Sequence, residues 1–78
     1  MENQTLYQFS RNQDEEVHFT LKEYKQRKYL DLRVFFQPKN GEEMLPTKKG
    51  ITLAVELFPE LEKGITACEK VLMSKTLK

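Results

Sequence analysis

Residues with reactive or redox-active side chains are scarce in this sequence. Its 78 residues include one cysteine, one histidine and no tryptophan. The single cysteine, Cys68, excludes an internal disulfide and any zinc site built from several cysteines, and it fits a reducing compartment. The three glycines stand too far apart for a glycine-rich phosphate loop. These absences leave catalysis with little support.

Long apolar runs are absent as well. No stretch approaches the ~20 residues that span a bilayer, and the first ten residues, MENQTLYQFS, do not resemble a signal peptide. We therefore expect an intracellular protein without a membrane partner, in the cytoplasm or nucleoid of a bacterium or the nucleus of a eukaryote. A chain of this length with 38% hydrophobic residues predicts one domain, residues 1–78, with a small core that needs covalent or other cross-links, or a partner chain.

Candidate catalytic and metal-binding residues are few. A lone histidine on a strand, such as His18, is usually a surface or interstrand residue. Cys68 falls on the apolar side of a predicted helix, which favours a small buried side chain. The successive acids at 14–16 favour a solvated loop over a cation site. The sequence thus predicts no enzyme, no cofactor and no metal.

Alternation of apolar and polar residues predicts strands in the first two thirds of the chain. The third predicted strand alternates leucine and valine on one side with Asp31 and Arg33 on the other. We expect residues 1–4 to be loose and residues 11–16 to form a loop. The predicted strands are Thr5–Ser10, Val17–Lys22, Lys28–Gln37 and roughly Glu43–Leu53.

Turn signals separate these strands. A turn is predicted at residues 25–27, and the sequence PKNG at 38–41 predicts a hairpin, because Asn-Gly tolerates positive φ. Pro46 cannot donate to a ladder, so the fourth strand is expected to be an edge there or to be broken by a bulge. Gly50 indicates a close backbone approach.

The rest of the chain has helical spacing. Pro59 fits the first turn of a helix, so a helix is predicted from about Phe58 to Ser74 after a turn at 54–57. We expect an α+β fold of four antiparallel strands and a helix that covers one sheet face only in part, with a surplus apolar stripe that predicts a homodimer. Apolar residues recur at intervals of four, four, three and four, at Leu57, Leu61, Ile65, Cys68 and Leu72.

Basic and aromatic residues concentrate in Tyr24–Gly50. The stretch contains seven of the 13 Lys and Arg residues, three acids and four of the eight aromatics, for a net charge of +4, whereas residues 1–21 sum to −3 and residues 51–78 to zero. Cations contact phosphates and ring faces contact bases when a protein binds an unpaired nucleic-acid strand. A solvated edge that prevents sheet aggregation explains the same charges, and composition alone leaves the two interpretations about even.

The order of short motifs is more specific than any one basic cluster. The motifs are YKQRK at 24–28, LDLR at 30–33, aromatics at 35–36, Asn-Gly, Met-x-Pro and KKGITL at 48–53, followed by an amphipathic helix. Together they resemble the single-stranded-DNA-binding domain of the general transcriptional positive cofactor (coactivator) family, relatives of the Whirly-type proteins. The resemblance covers residues 19–72.

The resemblance implies a curved sheet and a helix kinked near Gly64, paired through the helices into a homodimer with two adjoining channels for single strands. Tyr24 and Phe36 match the stacking aromatics of the family. The implied dimer contacts are Leu61, Ile65, Cys68 and Leu72. The resemblance implies DNA contacts at Tyr24, Lys25, Arg27, Arg33, Phe36, Pro46, Lys48, Lys49 and Gly50. We add Lys28 as a predicted DNA contact because its charge lies at the same hairpin end.

Two departures from the family pattern predict a weaker groove. Phe36 stands where the family usually has tryptophan, and Leu45 replaces a basic residue. The predicted function is non-sequence-specific binding of single-stranded DNA by a homodimer, in transcription regulation or in DNA replication or repair. The alternatives are a protein-interaction module that contacts the transcription machinery, or single-stranded RNA binding, because phosphates and ring faces occur in both nucleic acids.

Overall fold

A computed structural model describes residues 3–74. The predicted order of four strands and a helix is confirmed, and so is the start of the helix at Phe58 after a turn. The elements are β1 (Asn3–Ser10), β2 (Glu15–Tyr24), β3 (Arg27–Phe36), β4 (Leu45–Ala54), a 3-10 turn (Val55–Leu57) and α1 (Phe58–Ser74).

The first strand begins earlier than predicted. The expectation that residues 1–4 are loose is wrong for Asn3 and Gln4, which pair with β2. Residues 1 and 2 lie outside the described part of the chain. The pairing shifts by one residue at Leu6, which forms a bulge on this edge strand.

The loop between β1 and β2 is shorter than predicted. Glu15 and Glu16, expected in a loop, are the first residues of β2. The cause is Asn12, whose side-chain oxygen accepts the backbone N–H groups of Asp14 and Glu15, each at 2.9 Å. Because this local turn satisfies backbone N–H groups within the loop, strand pairing can begin directly after it.

The Asn-Gly signal does not produce a tight hairpin. The connection between β3 and β4 runs over residues 37–44. Gly41 has a φ of 83°, and its N–H donates to the carbonyl of Pro38 at 3.2 Å. The side-chain oxygen of Asn40 accepts the N–H of Glu42 at 3.1 Å. Such side-chain bonds compete with ladder pairing, so β4 starts later than predicted.

A two-residue turn connects β2 to β3. Lys25 and Gln26 have φ values of 52° and 67°, as in a type I′ turn, which matches the twist of the flanking strands. Neither residue is glycine, so each bears a left-handed cost of roughly 1–2 kcal/mol. Continuous pairing of β2 with β3 along their whole length stabilises this conformation. Arg27, predicted in the turn, is the first residue of β3.

The antiparallel sheet has the strand order β1-β2-β3-β4 and two unlike faces. The predicted alternation is confirmed by the register of β2 with β3. On the apolar face the opposed pairs are Val17 with Val34, Phe19 with Leu32, and Leu21 with Leu30. On the polar face they are His18 with Arg33, Thr20 with Asp31, and Lys22 with Tyr29.

A bulge interrupts the pairing of β3 with β4. Arg33 pairs with Gly50 and Phe35 with Pro46, so Thr47–Lys49 lie opposite a single β3 residue. These three residues are named the β4 bulge. The prediction of an edge strand or a bulge at Pro46 is confirmed on both counts, because β4 is also an outer strand.

The most buried part of the sheet is polar. Asp31 is 1% exposed and Thr20 is 7% exposed, whereas Val34, at 8%, is the only buried hydrophobic residue in the part of the chain that the structure describes. The apolar face carries exposed rings such as Tyr7 and Phe9, which contact each other and Phe19 on that face. One chain therefore covers little of its own apolar surface.

The helix extends away from the sheet. Its main contacts are with the preceding 3-10 turn, and within the described residues 3–74 it makes no comparable contact with a strand. The prediction that the helix covers part of a sheet face is therefore wrong for the single chain, since the three-residue turn does not lead it back over the strands. α1 continues without a break through Gly64, and its kink stays a prediction. Within residues 3–74, no helix has the length and apolar character needed to traverse a bilayer.

Candidate nucleic-acid interface

A groove crosses the polar face of the sheet. One end is a recess of about 340 Å³ beside Tyr24 and Tyr29. The other end is a recess of about 440 Å³ beside His18 and Phe35. Lys22 lines both recesses, so they adjoin along the face. This depression is named the polar-face groove.

A buried carboxylate organises the floor of the groove. Asp31 accepts hydrogen bonds from Arg33 Nε at 3.0 Å and Nη2 at 2.8 Å and from the hydroxyl of Thr52, and Lys22 Nζ lies 3.5 Å away. Burial acts to raise the pKa of Asp31, but the hydrogen bonds from Arg33 and Thr52 and the two nearby positive charges outweigh it, so the pKa lies below its usual value. The bond to Asp31 likewise raises the pKa of Arg33. The groove floor therefore contains an ion cluster that is charged at neutral pH.

Arg33 connects this cluster to the β4 bulge. Its Nη1 donates to the carbonyl of Thr47 at 3.0 Å. The Thr47 hydroxyl donates to the carbonyl of Val34 at 2.8 Å and accepts the backbone N–H of Lys49 at 3.1 Å. These bonds fix the bulge, and they place Lys48 and Lys49 at the sheet edge, outside regular ladder pairing.

Most of the donor capacity of Arg33 is used inside the protein. A guanidinium has five N–H donors. Those of Arg33 bond Asp31 twice, Thr52 once and Thr47 once, which leaves one N–H for an outside partner. Arg33 is therefore first a positioning residue for the β4 bulge.

The β2–β3 turn carries the first group of predicted contacts. Tyr24 is 54% exposed, and Lys25 Nζ lies 5.4 Å from the centre of its ring. Lys25, Arg27 and Lys28 are exposed, and none of the ion pairs found within residues 3–74 involves them. Alternation places Arg27 on the polar face with Tyr24, whereas Lys28 belongs to the apolar face. Lys28 is thus not brought to the groove.

Phe36 lies apart from Tyr24. The two rings are at opposite ends of the β2–β3 hairpin, roughly 30 Å apart at the rise of a strand. Phe36 follows the alternation of the apolar face, and it lines a different recess with the β1–β2 loop and Thr47. The two predicted stacking rings do not share one recess. The β4 bulge lines the recess of Phe36 through Thr47, and it is connected to the polar-face groove through the bond from Arg33 to the Thr47 carbonyl.

Gly50 and Pro46 flank the β4 bulge for structural reasons. A Cβ atom on Gly50 would collide with the carbonyl oxygen of Leu32 and would lie 2.9 Å from the Cα of Arg33. The predicted close approach at Gly50 is confirmed. Pro46 lies opposite Phe35 and lines the groove. Both residues therefore shape the site through the backbone.

Sequence reasoning missed part of the groove floor. Lys22, Tyr29, Asp31 and Thr47 were not predicted as site residues, although alternation already placed the first three on one face. His18 was predicted as a surface or interstrand residue, and this is confirmed: its ring stacks on that of Phe35 at 4.0 Å, and its Nε2 lies 2.8 Å from a Glu16 oxygen.

The predicted dimer contacts lie along α1. Leu61 is half-buried, and Ile65 and Leu72 are exposed. Cys68 is exposed as well, so its predicted burial is wrong for the single chain. Within residues 3–74, no three His, Cys, Asp or Glu side chains come together to hold a metal ion.

Several solved structures share this fold. A PC4 homologue from Burkholderia pseudomallei is 20% identical, with a TM-score of 0.78 over 87% of this chain and 98% of that one. A bacteriophage T5 homologue of the eukaryotic transcription coactivator PC4, implicated in recombination-dependent DNA replication, is 22% identical, with a TM-score of 0.61 over 95% of this chain and 78% of that one. MoSub1, solved in complex with DNA, is 24% identical, with a TM-score of 0.63 over 92% of this chain and 87% of that one.

A comparison with curated proteins finds no match. The comparison with protein families does find one: residues 11–65 match the family Transcriptional Coactivator p15 (PC4). The match includes β2, β3, β4 with its bulge, and the first part of α1, and it leaves β1 outside. The motif resemblance to the coactivator family is confirmed, while the likeness to Whirly-type proteins stays a prediction. The chain belongs to the Transcriptional Coactivator p15 (PC4) family.

Proposed function

We propose that the protein binds single-stranded DNA with little sequence preference, as a homodimer. The observation that supports this most is the β4 bulge, where a buried ion cluster positions two lysines that make no ion pair within residues 3–74. Cations held without a protein partner at a groove edge are suited to phosphates. Family membership and the crystal structure of MoSub1 in complex with single-stranded DNA add support.

Both ends of the site contact phosphates through a pair of cations. The pairs are Lys25 and Arg27 at the β2–β3 turn, and Lys48 and Lys49 at the β4 bulge. The free N–H of Arg33 adds a fifth contact. Pro46 and Gly50 shape the path of the strand, and Lys28, on the other face, contributes only long-range charge.

The strand follows the polar-face groove. It enters beside Tyr24, which stacks on a base, and it runs to the β4 bulge. From there it passes around the sheet edge to the recess of Phe36, where a second base stacks. This path accounts for two stacking rings on opposite faces, because Thr47 of the bulge lines the recess of Phe36 and also bonds Arg33 in the groove.

The uncovered apolar surface supports the proposed homodimer. Val34 is the only hydrophobic residue of the described chain that is buried, while the apolar sheet face and the stripe of α1 are open. A second copy offers the same two surfaces, and burial of apolar area drives such association. Leu61, Ile65, Cys68 and Leu72 lie at the centre of this interface.

The cellular role is transcription regulation or DNA replication or repair, wherever single strands are exposed inside the cell. Contacts with the transcription machinery are a further role of the same surface. The protein acts by binding and carries out no reaction of its own.

The binding proposal predicts a measurable order of affinities. We expect single-stranded DNA to bind more tightly than duplex DNA, with log affinity falling against log salt at a slope of roughly −3 to −4, since four or five phosphate contacts contribute about −0.7 each. Fluorescence anisotropy with single-stranded DNA, duplex DNA and RNA at several salt concentrations measures this. An affinity that does not change with salt concentration, or that is higher for duplex DNA, contradicts the proposal. Equal affinity for RNA would extend the proposed ligands to single-stranded RNA.

Charge reversal at the β4 bulge should separate local contacts from net charge. Lys48→Glu together with Lys49→Glu is expected to weaken single-strand binding by at least 100-fold at low salt, because two contacts are lost and two repulsions appear. The matched control is Lys63→Glu with Lys70→Glu, the same change in net charge on α1, away from the groove. Equal losses for both pairs in the same anisotropy assay would show that the bulge has no special role.

A further inference from the structure

The recess at the turn end of the polar-face groove has features that the binding proposal does not use. Its volume is about 340 Å³, and it opens between two tyrosines that lie on the same face of neighbouring strands. Tyr29 is half-buried and was not among the predicted contacts. The residues that line the recess are Asn3, Lys22, Glu23, Tyr24, Tyr29 and Thr52.

The spacing of the two tyrosines suits one inserted ring. Tyr29 lies opposite Lys22, and Tyr24 is two residues further along β2, so the tyrosines are diagonal neighbours, roughly 7–8 Å apart at the backbone. Stacked bases are about 3.4 Å apart along a strand, so this gap is about twice one stacking distance. Among the ring contacts found within residues 3–74, none joins Tyr24 to Tyr29. The space between them is therefore not filled by their own packing.

The charges around the recess fit a nucleotide. Lys25 lies over one side of the Tyr24 ring, which leaves the other side for a base. The side chain of Lys22 is 39% exposed, and its ammonium lies 3.5 Å from the buried Asp31, so it stands between the recess and the floor of the groove. Asn3 and Thr52 add polar side chains at the walls, which can hydrogen-bond the edge of a base.

We propose that Tyr24 and Tyr29 form a base-capture subsite, in which one nucleobase of the bound strand inserts between the two rings while Lys22 contacts the adjoining phosphate. This inference rests on the proposed function, because the nucleobase belongs to the single strand in the groove. It assigns Tyr29 and Lys22 as DNA contacts. Asn3 comes from β1, outside residues 11–65, so this chain builds part of the subsite from a segment beyond its family match.

A ring at position 29 is the first requirement. Tyr29→Leu removes the ring but retains an apolar strand residue, and Tyr29→Phe retains the ring. We expect Tyr29→Leu to weaken binding of an oligothymidine by about tenfold, as the loss of one stacked base does, and Tyr29→Phe to bind within about twofold of the unaltered protein. Circular dichroism and thermal melting establish that both variants fold. Equal affinities of the two variants would overturn the subsite.

A reporter placed in the recess decides the question independently. The chain has no tryptophan, so Tyr29→Trp introduces a single tryptophan on β3 at the wall of the recess, and its emission can be excited apart from that of the remaining tyrosines. Titration with oligothymidine is expected to quench it, while the control Phe9→Trp on the apolar face stays unchanged. If the unaltered protein binds no single strand, the proposed function fails. If it binds but the Tyr29→Trp variant keeps its emission, only the subsite fails, and this outcome can be read even where Tyr29→Leu does not fold.

Discussion

Replacing Asp31 with alanine is expected to lower the free energy of unfolding by about 3 kcal/mol or more, the range seen when one member of a buried ion pair is removed. Asp31 is 1% exposed and accepts bonds from Arg33 and Thr52 beside Lys22. Without the carboxylate, two cations face each other over a small cavity. A domain of this size has a stability of only about 4–12 kcal/mol, so much of it is lost. Urea unfolding followed by circular dichroism measures the change.

Two further variants show where the loss comes from. Asp31→Asn retains the shape and one acceptor but removes the charge, so we expect a smaller loss than for alanine. Asp14→Ala removes an exposed acid from the β1–β2 loop and is expected to change the unfolding free energy by less than about 0.5 kcal/mol. If Asp31→Ala unfolds at the same urea concentration as Asp14→Ala, the ion cluster does not stabilise the sheet.

The pH dependence of stability has a definite sign. The pKa of Asp31 is lowered in the folded protein, from a usual value of 3.8, so the folded state favours the ionised form. The stabilisation from Asp31 is therefore fully present above about pH 4–5 and is lost as the pH falls further. Asp31→Asn should lack this part of the acid dependence, and a variant that retains all of it would show that other carboxylates are responsible.

Local patterns account for the parts of the fold that sequence alone predicted. Period-2 alternation assigned the faces of β2 and β3, and the position of Pro59 fixed the start of α1, because each depends on residues close in the chain. The Asn-Gly signal misled because the Asn40 side chain accepts the backbone N–H of Glu42, and this bond competes with the ladder over the same few residues. The predicted path of α1 over the sheet was also wrong, because that path depends on what covers the helix and not on the periodicity of its own residues.

The candidate site was predictable in composition but not in arrangement. The motif KKG located Lys48, Lys49 and Gly50, and Pro46 predicted an edge strand or a bulge, yet nothing in the spacing shows that the bulge holds a two-residue surplus at Thr47–Lys49. The family resemblance also predicted Arg33 as a DNA contact. The structure shows that Asp31 accepts two of the guanidinium hydrogen bonds. A buried acid at spacing i,i+2 from an arginine is the signal that such reasoning needs.

Introducing a charge at Ile65 is expected to convert the proposed homodimer into monomers. Ile65 is 54% exposed in the single chain and lies on the apolar stripe of α1. In a two-fold symmetric interface each substitution occurs twice, so Ile65→Glu places two carboxylates in one apolar contact. Burying an unpaired carboxylate is costly, and a total penalty of about 3 kcal/mol already weakens association by more than 100-fold. Light scattering after size-exclusion chromatography measures the mass directly.

Stability should fall together with the oligomeric state. Because the single chain buries Val34 as its only described hydrophobic core residue, loss of the partner exposes the apolar sheet face and the helix at once. We expect the melting temperature of the unaltered protein to rise with protein concentration, as for a folded dimer in equilibrium with unfolded chains, and that of Ile65→Glu to be lower and independent of concentration. The control Lys63→Glu adds the same side chain to the polar side of α1 and should leave the dimer intact. An Ile65→Glu protein that keeps the mass and melting temperature of this control would place the dimer interface elsewhere.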